Sequence, residues 1–152
     1  MSTRIAPVMV LACAMWASTV GAAAAQPGEI AGRVKVASGP VFVMRAGAEL
    51  PVAVGEPVYE TDVLKTGAQG RLGLTLKDET RVSLGPSSEL RIDAFRFAPG
   101  ESPLSIALTF VRGVAGYVSG RIAKMAPDAV RLKTPAAIIG VRGTTLAIRV
   151  AS

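Results

Sequence analysis

Side chains able to do chemistry are few in this sequence. Histidine is absent, and the one cysteine, Cys13, falls inside an N-terminal apolar run. Without them the commonest metal ligands and the usual general base are missing, and neither a Ser-His-Asp nor a Cys-His nucleophile can be assembled. Carboxylates remain, but only Asp78 with Glu79 and Glu60 with Asp62 cluster at all. Neighbours on a strand point to opposite faces, so Lys77-Asp78-Glu79-Thr80 reads as a turn in which the aspartate bonds its own backbone. A glycosidase pair of carboxylates is compatible with the spacing alone. Sugar sites usually want exposed aromatic faces, whereas most of Phe42, Tyr59, Phe95, Phe97, Phe110 and Tyr117 lie in alternating apolar runs. Ser119 and Lys124, five apart on a possible helix, do not share a face well. These residues point to binding rather than to an enzyme, with no catalytic residue, no metal and no cofactor.

Charge is the second resource, and it is unevenly spread. Residues 26–110 hold nine basic and ten acidic side chains. Residues 111–152 hold Arg112, Arg121, Lys124, Arg131, Lys133, Arg142 and Arg149 against Asp128 alone. A basic C-terminal third suits an anionic surface, a cell-wall polymer or an acidic protein; equally, it serves as a solvated face that keeps the domain soluble. Nucleic acid is not expected, because no helix-turn-helix, finger or basic-aromatic interleaving is present.

The elements that must position these groups are strands. Leu72, Leu74 and Leu76 alternate with Arg71, Gly73, Thr75 and Lys77; after a turn Val82 and Leu84 resume, then Leu90 and Ile92. Period two between turn residues marks half-buried strands. The same reading places Ile30, Val34 and Val36, then Val41 and Val43, on inward faces, followed by Ile106, Leu108 and Phe110, by Val130 and Leu132, and by Leu146, Ile148 and Val150. The fold class is all-β: a compact two-layer sandwich or a solenoid-like roll of short strands. At most one short helix is expected, near residues 117–125, ended by Pro127 and Asp128.

The first 25 residues belong to another stage of the protein's life. Arg4, an apolar run to Val20 and the small-residue stretch Gly21–Ala25 have the order of a secretory signal peptide cleaved before Gln26. Residues 26–152 then form one domain in the periplasm or outside the cell. An uncleaved anchor, or acylation of Cys13 in Val10-Leu11-Ala12-Cys13, is the minority alternative by which the chain would meet a membrane.

Thr134-Pro135-Ala136-Ala137-Ile138-Ile139-Gly140-Val141-Arg142-Gly143-Thr144 closely resembles the T-P-x-x-x-I-G-V-R-G-T signature of the FecR family. Upstream, Val54 to Gly67 resembles that family's V-G-x-x-l-x-x-G-D-x-l-x-T-G segment, and Asp78 to Ser88 its D-G-s-x-l-x-L-g-p-x-S hairpin. Val118 to Lys124 is similar to a linking segment before the signature, and the likeness runs from about Gly39 to Arg149. The resemblance implies an all-β, non-catalytic periplasmic domain that senses or relays through contact with an envelope protein, an outer-membrane transporter or a membrane sensor. Four residues precede the apolar stretch and eight follow Thr144, so the expectation is a stand-alone, secreted copy of the domain.

Within the signature, Thr134-Pro135 should break a strand, since proline has no N–H to donate. Gly140 and Gly143 flank Val141-Arg142, allowing bulges or close backbone approach beside the arginine. Held inward, Arg142 would staple turn carbonyls together; held outward, it would clamp a partner's carboxylate. Thr134, Pro135, Gly140, Arg142, Gly143 and Thr144 are thus the candidate contact or staple. Arg112, Arg121, Lys124, Arg131, Lys133 and Arg149 form the candidate basic face, suited to peptidoglycan or an anionic glycan. Self-assembly through exposed strand edges is a further possibility.

Overall fold

Alternation becomes sheet along nearly the whole chain. A computed structural model describes residues 28–98, 100 and 103–151; the segment expected to be a signal peptide, residues 1–25, and Cys13 lie outside the described residues. Twelve strands follow in order: β1 (Ile30–Ser38), β2 (Val41–Arg45), β3 (Ala48–Pro51), β4 (Pro57–Tyr59), β5 (Val63–Thr66), β6 (Arg71–Leu76), β7 (Arg81–Leu84), β8 (Glu89–Arg96), β9 (Ser105–Val118), β10 (Val130–Lys133), β11 (Ile138–Gly140) and β12 (Thr145–Val150). One short helix, α1 (Arg121–Met125), and a 3-10 turn at Pro127–Ala129 separate β9 from β10.

All twelve strands join one curled sheet in the order β3-β2-β5-β8-β9-β7-β6-β1-β4, with β10 and β12 also on β9, and β11 on β10. The pairings are antiparallel except for β10, which runs parallel to β9. Strands β1, β4, β6 and β7 build one half of the curl, and β2, β3, β5 and β8 the other. The chain passes back and forth between these halves as it grows. The all-β expectation is thus met by a single sheet curled around one core.

The fourteen-residue β9 belongs to both halves. Its first part pairs with β8 and β10, and its last part with β7 and β12. The turnover comes at Gly113, whose φ of +88° is left-handed backbone that side-chain-bearing residues rarely adopt.

The inward sets lie where alternation puts them. Leu72, Leu74, Leu76, Val82, Leu84, Leu90, Ile92, Ile106, Leu108, Phe110, Val130 and Leu132 are all buried in one apolar cluster. Two inward assignments fail. Val36 is 53% exposed and Ile30 36%, because the register of β1 slips between Val34 and Val36 on β6, and between Ile30 and Gly32 on β4. Each slip inserts a residue and inverts the alternation beyond it. The helix is also shorter than expected: Tyr117 and Val118 are the end of β9, and Pro127 opens a 3-10 turn instead of simply stopping the chain.

Candidate functional site

The signature folds as a hairpin and a tight loop. β10 ends at Lys133, and Thr134 closes the turn to β11: its N–H donates to the Ala137 carbonyl at 2.8 Å, and its hydroxyl accepts from the Ala137 N–H at 3.1 Å. Pro135 sits exposed in that turn, where a missing N–H costs no ladder bond. After β11, Val141 is buried and pins the loop to the core. Gly143, at φ +60°, reverses the chain. Thr144 then locks it, its hydroxyl donating to the Arg142 carbonyl at 3.1 Å and its own carbonyl accepting from the Ser119 N–H at 3.1 Å.

This scaffold leaves Arg142 outside. Its side chain is exposed and makes no hydrogen bond or ion pair among the described residues. It lines a surface pocket of about 540 Å³ together with Arg131, Asp128, Gly140, Thr144 and the apolar Val130, Ile138 and Ile139. Gly140 faces Arg131 directly across the β10–β11 pair. No atom lies within 4 Å of where a side chain on Gly140 would begin, so the close approach expected there is absent, and the missing side chain keeps the pocket open beside Arg131. Ile138, 72% exposed, supplies an apolar wall. Gly140, Arg142, Thr144 and Arg131 thus come together, while Thr134 and Pro135 lie away in the turn.

The other cations do not gather into one face. Arg112 pairs with Glu89 on β8 at 3.4 Å. Arg121 and Lys124 are on α1, with the Arg121 guanidinium 5.4 Å from the Phe97 ring centre. Lys133 lies on β10 and Arg149 on β12. The basic C-terminal third of the chain is thus divided among β9, α1, β10 and β12.

Sequence reasoning missed the arginine that does act as an internal staple. Arg45 grips Asp62 with two hydrogen bonds, 2.9 Å from Nε and 2.7 Å from Nη2, reaches the Pro57 carbonyl at 3.3 Å and stacks 4.4 Å over the Tyr59 ring. Asp62 is buried and also accepts from the Tyr59 N–H at 2.9 Å. The hydrogen bonds to Asp62 raise the Arg45 pKa above its ordinary value, against the opposing effect of burial. The clustering of Glu60 and Asp62 was visible in the sequence; the cross-strand arginine was not.

A second buried carboxylate organises the helix. Asp78 accepts from the Thr80 N–H at 3.1 Å and hydroxyl at 2.7 Å, as the turn reading expects, and also from the Ile122 N–H at 3.3 Å. The Asp78 carbonyl takes the Arg121 N–H at 2.6 Å, and Thr80 Oγ1 takes the Gly120 N–H at 3.1 Å. The β6–β7 turn therefore caps α1 from outside. Below it, the hydroxyl of Tyr117 is buried without a hydrogen-bond partner among the described residues. Burial pushes its pKa up to about 12, with Thr80 opposing the rise and the Asp78 charge adding to it.

Among the described residues no three His, Cys, Asp or Glu side chains are grouped as metal ligands would be, and no helix is long and apolar enough to cross a membrane. Fold and geometry define a small all-β module with an open surface pocket beside the β10–β11 hairpin. The family model described as FecR protein matches residues 62–152, more than half of the chain. The chain belongs to the FecR family, a regulatory family associated with the cell envelope of Gram-negative bacteria. No curated protein matches it. Among solved structures it is similar to one described as "Cell surface anchoring domain", with 27% identity over 41% of this chain and 83% of that one, at a TM-score of 0.39.

Proposed function

We propose that the chain is a non-catalytic periplasmic module that senses or relays through contact with an envelope protein, such as an outer-membrane transporter or a membrane sensor. Residues 1–25 are removed on export in this reading, and residues 26–152 act as one domain. The observation that carries it is the pocket around Arg142. An unpaired guanidinium, a second arginine and an exposed isoleucine surround an opening that the rest of the signature holds in place. A guanidinium beside an apolar wall suits a carboxylate-bearing, partly apolar partner surface, and cell-envelope regulation is the family's setting.

The test is crosslinking in intact cells with a tagged copy, wild type beside Arg142→Glu. Recovery of one envelope protein, lost in the variant while its melting temperature stays within about three degrees, is the expected result; surface substitutions of this kind usually cost within about 0.5 kcal/mol. Recovery of only the chain itself, or only of glycan, in both samples overturns the reading.

A further inference from the structure

A second surface carries charge of one sign. It is the outward face of the half-sheet formed by β4, β1, β6, β7, the end of β9 and β12. No aspartate or glutamate occurs in β1, β4, β6, β7, β12 or the Gly113–Val118 part of β9. Arg33, Lys35, Arg71, Arg81 and Arg149 stand exposed on these strands, and none makes an ion pair among the described residues. Lys77, just past β6, is the one beside an acid, Glu29, at 3.8 Å.

The register arranges these cations along a trough. Val36, Gly73, Ser83, Gly116 and Ala147 line up across five neighbouring strands. At roughly 4.8 Å per strand that row runs for about 19 Å. Arg33 and Arg81 share the next outward row on one side, both opposite Thr75. Arg71 and Arg149 lie two residues from the row on the other side. Two adjoining hollows of about 430 and 300 Å³ share Lys35 and Thr75. The slip in β1 turns Lys35 and Val36 both outward at this place.

The chemistry of the face selects its occupant. Its backbone N–H and C=O groups are spent in the ladders, so a peptide seeking strand pairing would go to an edge. Its exposed apolar members are valines, alanine, glycine and, at the margin, Ile30, without the Trp, Phe or Leu that anchors a protein in a lipid interface. Its one half-buried ring, Tyr59 on β4, is already stacked against Arg45, so no free aromatic face is offered on which a neutral sugar could stack. What remains is a shallow channel with guanidinium and ammonium groups on both banks, matched to repeated carboxylate or sulfate groups on an extended chain. We propose that this face binds an anionic polysaccharide lying across the strands. The surface is separate from the pocket around Arg142, and the two readings stand or fall independently.

The test titrates the full chain with polygalacturonate and with heparin, beside neutral dextran, polyglutamate and phosphatidylglycerol vesicles. The variants are Arg33→Glu/Arg81→Glu, Arg71→Glu/Arg149→Glu and, as a control of equal charge change on the other half of the sheet, Lys65→Glu/Arg96→Glu. Their thermal melts are matched first. Polysaccharide binding that weakens with added salt, falls at least about tenfold in both trough variants and changes less than twofold in the control is the expected result. Equal loss in the control, equal or tighter binding of vesicles or polyglutamate, or no polysaccharide binding at all overturns the proposal.

Discussion

Gly113 and Ser88 meet where β9 passes from one half of the sheet to the other. A Cβ on Gly113 would overlap Ser88 Oγ and stand only 2.6 Å from Ser88 Cα and 2.7 Å from the Ser87 carbonyl. The same Ser88 hydroxyl accepts from the Val114 N–H at 2.9 Å and lies 3.0 Å from both the Val114 and Pro86 carbonyls. The turn before β8 is thereby clasped to the bend of β9. Gly113→Ala combines a left-handed backbone with a clash against main chain and is expected to cost about 3 kcal/mol or more. Ser88→Ala leaves the part-buried Val114 N–H without this partner and is expected to cost about 1 kcal/mol. Urea midpoints at unchanged slope measure both.

Thr61 and Glu79 hold positive φ, +74° and +69°. At both places the family pattern has glycine. A β-branched residue fits that backbone poorly, so Thr61→Gly is expected to raise stability by about 1 kcal/mol, and Glu79→Gly by somewhat less. Thermal melts that fall in either variant would show that the native side chain compensates for its own strain.

Arg45 and Asp62 form the one ion pair with a fully buried carboxylate among the described residues. Arg45→Met leaves that carboxylate with the Tyr59 N–H as its remaining partner and is expected to cost about 3 kcal/mol. Arg45→Lys recovers part of this at most, because an ammonium cannot reproduce the two-pronged grip or the stacking on Tyr59. The double variant Arg45→Met/Asp62→Leu is expected to lose less than Arg45→Met alone, and chemical denaturation of the set separates these cases.

Tyr117 offers a test in alkali. Its phenol ionises near 10 in the unfolded chain and near 12 when folded. Between these values the folded state keeps a proton that the unfolded state has released, so stability falls as pH rises through that window. Tyr117→Phe removes the dependence and also a buried hydroxyl without a partner. It is expected to be at least as stable as wild type at pH 7 and clearly more stable at pH 11, by melting temperature.

Most of the sheet was legible because period two is strong wherever one face is buried. Leu72 to Ile92 shows this, with each inward residue in the core. The failures at Ile30 and Val36 have one cause: a bulge is a decision between two strands, and the alternation of a single strand does not record it. The signature was legible as a motif, and its turn chemistry at Thr134 and Gly143 followed from residue type. That Arg142 points outward and Arg45 inward depends on register across β2, β5 and β10, which no local pattern contains. Arg71 was visible as an outward residue of β6, yet the trough appears only when β1, β7 and β12 are laid beside it.

The place of β9 has a consequence for timing. Four strands on each side of it precede it in the chain, so a polypeptide emerging from its N-terminus displays two half-sheets with no strand to join them. Neither can cover its apolar face until residues 105–118 arrive, and the β10–β11 hairpin and β12 have no strand to dock on before then. Such late, long-range closure makes for slow folding with exposed intermediates. Closure of the sheet thus waits on a segment two thirds of the way along the chain, and a chaperone would meet a polypeptide that is largely made but not yet closed.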